Sequence, residues 1–204
     1  MEEGYIKFKA IWEKAPIPEL AVLPDLQFWR AEMHRLGLIG VYENGIGYGN
    51  ISCRLDEQGT FLVTGSATGG LPVLGAEHFT IVTGFDVARN TIRCTGPIIA
   101  SSESLSHAAI YRHCPEANGV IHVHHARLWS FLLHRVPTTA ASATYGSPEM
   151  AGSIIHLLES TNLNQERIFA MQGHPEGIFS FGSTLREAAD ILRVWMAKAD
   201  LLSM

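Results

Sequence analysis

The spacing of apolar residues along this chain changes repeatedly between a helical and a strand-like period. Apolar side chains at every third or fourth position predict one helix from Pro24 to Gly37 and another after Thr184, near the C-terminal end. Between them lie short apolar runs bounded by Gly, Asp and Asn, which predict strands joined by hairpin turns such as Asp56–Gly59. Strands that alternate with helices and pair in hairpins predict an α/β layered domain with a mostly antiparallel sheet.

The N-terminal segment of the chain is predicted to lie outside the main domain. Residues 24–204 are predicted to form a single domain, and residues 1–23 an N-terminal arm that precedes it. Within the arm, Tyr5–Trp12 alternates loosely between apolar and polar side chains, which fits either an edge strand or a segment lying on a neighbouring chain. Further along, Ser147 before a proline and Thr184 three residues before a glutamate are typical helix starts.

The stretch Ser101–His125, SSESLSHAAIYRHCPEANGVIHVHH, combines hydroxyls, a carboxylate and several histidines. Its first half predicts a helix that runs to about His113, with Ser101 and Ser102 as N-cap residues. Its second half predicts a strand of aliphatic residues that ends in histidines. Because a helix N-terminus attracts anions, the two serines also indicate a phosphate site, although capping alone would explain them.

The histidines of the predicted strand favour a metal site. Successive side chains of a strand point to opposite faces, so His122 and His124 project together while Val123 turns away. A His-x-His pair also arises by coincidence, but imidazoles ending an aliphatic strand are costly to bury without partners. A catalytic zinc takes three protein ligands and leaves a fourth place open. His174 in MQGHPEG is the best third candidate, because one strand-like run breaks there before another begins.

Six short motifs resemble the class II aldolase/adducin family, in the order in which that family carries them. They extend from about Pro24 to the C-terminus, and the ordered set is more specific than any single piece. The matching segments are Gly49–Ser52, Ser101–Glu103, His107, Asn118–His124, Thr144–Glu149 and Gly173–His174.

The resemblance implies a three-layer α/β/α domain with a nine-stranded central sheet, assembled as a homotetramer with its site near a subunit boundary. It implies one divalent ion per chain, Zn²⁺, on His122, His124 and His174. It also implies that Glu103 is the catalytic acid/base. The simpler alternative is that Glu103 only interacts favourably with the helix dipole. His107 is then a positioning or core residue.

The same resemblance implies a phosphate pocket built from neutral donors. In the loop TGSATGG the family's Thr-Gly pair fits Thr68-Gly69 best, and Ser66-Ala67 is the alternative because the loop length departs from the usual pattern. Hydroxyl, amide and backbone N–H donors suit a phosphate dianion, and these motifs contain no Lys or Arg. The implied phosphate ligands are Asn50, Thr68, Gly69, Ser101 and Ser102.

The implied reaction is the cleavage or formation of a carbon–carbon bond in a small sugar phosphate, through a metal-stabilised enediolate. Epimerisation, dehydration or decarboxylation at the same site is the first alternative, and a non-catalytic, adducin-like interaction domain is the second. In the aldolase pattern a tyrosine from a longer insert acts as a second acid. Here only RVPTTAASA joins that region, so the second acid is unassigned. Tyr145, the nearest tyrosine, matches a different family position and is expected to pack beside the Ser147 cap.

Composition limits the kinds of binding partner and the cellular compartment that are expected for this chain. A net charge of −5 without a basic run argues against nucleic acid or an anionic membrane surface as partner. The N-terminus lacks the features of a signal peptide, and no apolar stretch has the length of a membrane span. Three cysteines without a CxxC motif fit a reduced, cytoplasmic setting. The low charged fraction, 17%, favours surface buried in an oligomer.

Overall fold

Ten strands and six α-helices form within residues 5–200, the part of the chain that this computed structural model describes. In chain order they are β1 Lys9–Lys14, α1 Leu23–Arg35, β2 Gly40–Val41, β3 Gly47–Tyr48, β4 Asn50–Arg54, β5 Phe61–Thr64, β6 Phe79–Asp86, β7 Thr91–Gly96, α2 Ser104–His113, β8 Gly119–His124, α3 Ala126–Leu132, α4 Pro148–Ser160, α5 Leu163–Glu166, β9 Ile168–Ala170, β10 Gly177–Gly182 and α6 Leu185–Lys198.

Eight of the strands form the main sheet, in the order β1-β7-β6-β5-β4-β8-β10-β9. All neighbouring pairs are antiparallel except β1 with β7, which confirms the mostly antiparallel sheet. The implied count of nine strands is wrong for the described residues, because β2 and β3 pair only with each other. That small hairpin contributes Gly47 and Tyr48 to the cleft described below.

Helices cover both faces of the sheet, so the three-layer α/β/α arrangement is confirmed. The core on one face includes α2, α4 and residues such as Val120, and the core on the other includes α1, α3 and α6. Strand β8 serves both cores because its side chains alternate: Ile121 and Val123 belong to the second core. No helix in residues 5–200 is long and apolar enough to span a membrane.

The register of the three central strands places polar residues side by side. Strand β8 lies between β4 and β10 and pairs with both in antiparallel fashion. His122 is the cross-strand partner of Asn50 on β4 and of Phe179 on β10. Directly opposed residues project from the same face of a sheet, so Asn50 and His122 emerge together.

The N-terminal segment is an edge strand of this sheet. Strand β1 pairs in parallel with β7, and the Trp12 indole N–H donates to the Gly96 carbonyl at 2.9 Å. Of the two interpretations of Tyr5–Trp12, the edge strand is therefore the one observed. This pairing also brings Lys7, just before β1, close to the site described below.

Two of the three predicted helix starts are confirmed. The Ser147 hydroxyl accepts from the Met150 N–H, and the Thr184 hydroxyl accepts from the Glu187 N–H. The prediction that Ser101 and Ser102 cap α2 is wrong, because the helix begins at Ser104, after Glu103. A turn precedes it, in which the Ser104 N–H donates to the Ser101 carbonyl at 3.0 Å.

Candidate active site

All nine residues predicted to form the site line one cleft. They come from β4, from the loop after β5, from the turn before α2, from β8 and from the turn between β9 and β10. The cleft is also lined by Gly47, Tyr48, Gly49, Gly65, Ser66, Ala67 and Tyr145. The predicted residues that it brings together are Asn50, Thr68, Gly69, Ser101, Ser102, Glu103, His122, His124 and His174.

Three buried imidazoles converge at the inner end of the cleft. The Nε2 atoms of His122 and His124 lie 3.1 Å apart, as their positions on β8 predict. His174 joins them from the turn after β9, and ligand atoms of all three residues lie within 4.8 Å of one another. The third histidine of the strand, His125, lies apart from this group and caps α3 by accepting from the Leu128 N–H.

Hydrogen bonds at the Nδ1 atoms determine which nitrogens of two of these rings face the cluster. His122 Nδ1 is 3.1 Å from the Ile178 carbonyl, which can only accept, so Nδ1 carries the proton. His124 Nδ1 is 3.0 Å from the Tyr42 hydroxyl, which itself donates to Glu176 at 2.8 Å. The network therefore assigns the proton of His124 to Nδ1 as well, and both Nε2 lone pairs are turned towards each other.

The protonation state of the cluster suits a metal. Burial lowers the pKa of His122 and of His124 well below the usual value, and neighbouring imidazoles add to the effect. Burial also lowers the pKa of His174 to about 4. All three are therefore neutral at pH 7, the form in which histidine binds metals. Three neutral imidazoles that converge on one point fit a divalent ion of the zinc type better than Mg²⁺ or Ca²⁺, which prefer oxygen ligands.

Glu103 is buried in the same cleft with one carboxylate oxygen unpaired. Its Oε2 accepts from the Ser106 hydroxyl at 2.6 Å, whereas Oε1 has no hydrogen-bond partner among the described residues. Burial raises the pKa of Glu103 to about 7, and the Ser106 hydroxyl, the Gly146 N–H and the charge of Lys7 limit the rise. A carboxyl group poised near neutral pH can both accept and return a proton.

A chain of buried hydrogen bonds fixes the amide of Asn50. His107 Nε2 lies 2.6 Å from Asn50 Oδ1 and therefore donates to it, which leaves His107 Nδ1 to accept from the Ser52 hydroxyl at 2.6 Å. Ser52 in turn accepts from the Tyr111 hydroxyl at 2.8 Å. Burial lowers the pKa of His107 to about 3, so the ring stays neutral. His107 is thus a positioning residue, and the Asn50 NH₂ group remains available as a donor in the cleft.

The loop after β5 lines the cleft with both of its candidate pairs, Ser66-Ala67 and Thr68-Gly69. The Ser66 N–H donates to the Ile99 carbonyl, and the Thr68 hydroxyl donates to the Gly65 carbonyl at 2.8 Å. A Cβ atom at Gly69 would lie 2.2 Å from the Gly40 carbonyl oxygen, so this position requires glycine. The Ser66 N–H and the proton of the Thr68 hydroxyl are therefore both used within the protein.

Two residues outside the predicted ligand set orient His124. They are Tyr42, which contacts the imidazole and which sequence reasoning missed, and Glu176, which accepts from the Tyr42 hydroxyl. No local pattern indicates Tyr42, because it lies 82 residues from that histidine. Glu176 is only two residues from His174, and that nearness makes it the second acid/base candidate after Glu103 on sequence grounds. Its contact with Tyr42 is a feature that the sequence does not indicate.

Tyr145 lies closer to the cluster of three histidines than the sequence predicts. The expectation for this residue was packing beside the Ser147 cap, but its ring lies 4.8 Å from that of His174 and it lines the cleft. The Lys7 ammonium group lies 3.7 Å from the centre of the Tyr145 ring. The N-terminal arm therefore reaches the edge of the site through this pair.

Comparison with known protein families gives a match that covers most of the chain. The family described as "Class II Aldolase and Adducin N-terminal domain" matches residues 43–200. A search of curated protein sequences gives no match.

Solved structures share the fold at low sequence identity. L-fuculose-1-phosphate aldolase from Thermus thermophilus is 22% identical, with a TM-score of 0.63 over 88% of this chain and 91% of that one. A sugar-phosphate aldolase from Thermotoga maritima is 17% identical, with a TM-score of 0.64 over 89% and 93%. Another L-fuculose 1-phosphate aldolase is 18% identical, with a TM-score of 0.67 over 92% and 87%. At these identities the likeness concerns the fold alone.

Proposed function

The chain belongs to the class II aldolase and adducin family, and from that premise we propose that it is a zinc-dependent, aldolase-type lyase. Its substrate would be a small sugar phosphate, in which it cleaves or forms a carbon–carbon bond. The observation that carries the proposal is the convergence of three neutral imidazoles beside a buried carboxylate whose pKa is about 7. Catalytic sites are where such perturbed groups concentrate.

The metal would be held by His122, His124 and His174, one ion per chain. When bound, such an ion supplies Lewis-acid stabilisation of the negative charge that develops on substrate oxygens. The protein's own part is to keep these rings neutral and correctly turned. For His124 this depends on Tyr42 and Glu176, whose hydrogen bonds hold the proton on Nδ1.

Glu103 would move the proton. Its unpaired Oε1 is the atom that accepts a proton from the substrate, and Ser106 holds the other oxygen in place at 2.6 Å. With a pKa of about 7, the group is about half ionised at neutral pH and can return the proton to the product. Burial also keeps bulk water away from this oxygen.

The phosphate would bind to neutral donors in the same cleft. The Asn50 NH₂ group is oriented by His107, and the hydroxyls of Ser101 and Ser102 lie in the turn before α2. Thr68-Gly69 would contribute backbone N–H groups. A substrate anchored there would hold its first carbons near Glu103, which directly follows the two serines in sequence.

The test is a panel of ketose and aldose phosphates incubated with the zinc-loaded protein. Release of an aldehyde together with a three-carbon phosphate or related fragment, detected by coupled reduction and by NMR, is the expected result. Conversion of a substrate to its isomer, without release of fragments, would indicate that the reaction is epimerisation and not cleavage. Turnover of none of these compounds would contradict the proposal and favour an adducin-like interaction domain.

Epimerisation, dehydration or decarboxylation at the same site is the second candidate. It is favoured by the short segment before Tyr145, which lacks the insert that carries the second acid in the aldolase pattern. A non-catalytic domain is less well supported, because a binding module has no use for a buried carboxylate whose ionisation is unfavourable.

The proposed assembly is a homotetramer in the cytoplasm, with the site near a subunit boundary. Three buried free thiols support a reducing compartment. A neighbouring chain could then contribute the missing acid. Light scattering should give a mass about four times that of the 22.4 kDa chain, and a monomer at micromolar concentration would contradict the assembly.

A further inference from the structure

An arginine is buried directly beside the loop that follows β5. Arg30 lies on α1, and its side chain is among the largest that are fully buried. Its guanidinium donates to three backbone carbonyls of that loop: to Thr68 at 2.7 Å, to Gly69 at 2.8 Å, and to Leu71. One side chain of the first helix therefore holds most of the loop in place.

The charge of Arg30 has no counter-ion in residues 5–200. No carboxylate there lies within ion-pair distance, and carbonyl oxygens are its hydrogen-bond partners. Burial lowers its pKa only to about 10, so the group is charged at neutral pH. A buried charge is costly unless an opposite charge lies nearby. An anion bound close to the loop is therefore expected to reduce the free-energy cost of burying this charge.

The hydrogen bonds of Arg30 also determine where the loop N–H groups point. The described residues contain no cis peptide bond. In a planar trans peptide, the C=O and N–H groups point in opposite directions. The Thr68 carbonyl points to Arg30, so the N–H of Gly69 points away from it. Gly69 lines the cleft, and its N–H has no acceptor within the described residues.

We propose that Arg30 is a positioning residue for an anion: it turns the Gly69 N–H into the cleft and places a positive charge behind the loop, so that the cleft selects a doubly charged group such as a phosphate monoester. The loop separates the guanidinium from the ligand, so Arg30 acts without touching the substrate. This inference rests on the proposed function, whose phosphate cleft it explains in electrostatic terms. The motifs that line the cleft contain no Lys or Arg, and Arg30 provides the cation from behind them.

The test measures binding of inorganic phosphate by calorimetry to wild type, Arg30→Met and Arg30→Lys. Arg35→Met is the matched control, because Arg35 is on the same helix but exposed and paired with Glu32 at 3.0 Å. Arg30→Met should weaken binding about 10–100-fold, equivalent to about 1.4–2.7 kcal/mol. Arg30→Lys, which keeps the charge, should lose less, and the control should bind as the wild type does.

Unchanged phosphate affinity in a folded Arg30→Met protein would overturn the inference. So would equal losses in Arg30→Met and Arg30→Lys, because Arg30 would then only hold the loop. A second measurement does not depend on these variants folding: in wild type labelled with ¹⁵N-glycine, phosphate should shift the amide resonance of Gly69 more than that of Gly59, which does not line the cleft. An unshifted Gly69 resonance at saturation would also refute the inference.

The two proposals fail in different ways. If the wild type binds no phosphate, the phosphate cleft of the proposed function is wrong, and this inference falls with it. If the wild type binds phosphate and the Arg30 variants are unaffected, only the inference is wrong.

Discussion

Replacement of Glu103 by glutamine should separate a catalytic carboxylate from a structural one. Glutamine keeps the shape of the side chain and an oxygen that accepts from the Ser106 hydroxyl. It replaces the other oxygen by an NH₂ group, so the side chain can no longer ionise. If Glu103 moves the proton, turnover should fall about 10²–10⁴-fold while the fold and metal content remain.

The structure also gives the expected change in stability. The pKa of Glu103 is raised from 4.5 to about 7, mainly by burial, and each pKa unit corresponds to about 1.4 kcal/mol. Because the folded-state pKa is the higher one, the stability contribution of Glu103 is complete below pH 4.5 and is lost as the pH rises through about 7. Glutamine has no such loss. The metal-free variant should therefore be more stable than the wild type by about 3 kcal/mol at pH 8.

Urea unfolding of both proteins in the presence of a chelator, at pH 4.5 and pH 8 and at one protein concentration, measures this difference. The advantage of the variant should shrink to less than about 0.5 kcal/mol at pH 4.5. Proton exchange at the substrate carbon, followed by NMR on the zinc-loaded proteins, gives the catalytic effect. Equal stability at both pH values, or unimpaired exchange in Glu103→Gln, would refute the reasoning and make Glu176 the next residue to examine.

Three more variants test the remaining parts of the site. His174→Ala should lose the divalent ion in metal analysis, whereas His125→Ala, which removes only a helix cap, should retain it; equal content would contradict the metal site. Ser102→Ala should weaken inorganic phosphate binding several-fold, and unchanged affinity would move the pocket elsewhere. Lys7→Met should raise the pKa of Glu103 further, because the Lys7 charge lowers it, and the pH at which stability is lost should rise accordingly. An unchanged midpoint would exclude that interaction.

The parts of the fold that local patterns determine were predictable from the sequence. Alternation along β8 correctly predicts that His122 and His124 project together, and the hydroxyls of Ser147 and Thr184 correctly mark helix starts. These features depend on residues two to four apart, where backbone periodicity decides the outcome. The same local reasoning failed at Ser101 and Ser102, because a turn inserted before α2 moves the helix start to Ser104.

The parts that depend on distant contacts were not predictable in this way. Arg30 reaches carbonyls about 40 residues away, and Tyr42 bonds to Glu176 at a separation of 134 residues. Neither pair has a spacing rule, because tertiary packing alone brings them together. The edge position of β1 likewise follows from pairing with β7, which lies far along the chain.

The cross-strand pair of Asn50 and His122 has a consequence for how substrate preference can change. Neighbouring strands lie about 4.8 Å apart, so the separation between the Asn50 amide and the His122 imidazole, which we propose bind the anion and the metal, is set by the sheet and not by loops. Substitutions in the loops that line the cleft should therefore leave the spacing of these two side chains unchanged. A one-residue insertion in β8 would be different in kind, because it would turn both imidazoles to the opposite face. Divergence within this scaffold should therefore vary the rim of the cleft and preserve the spacing at its centre.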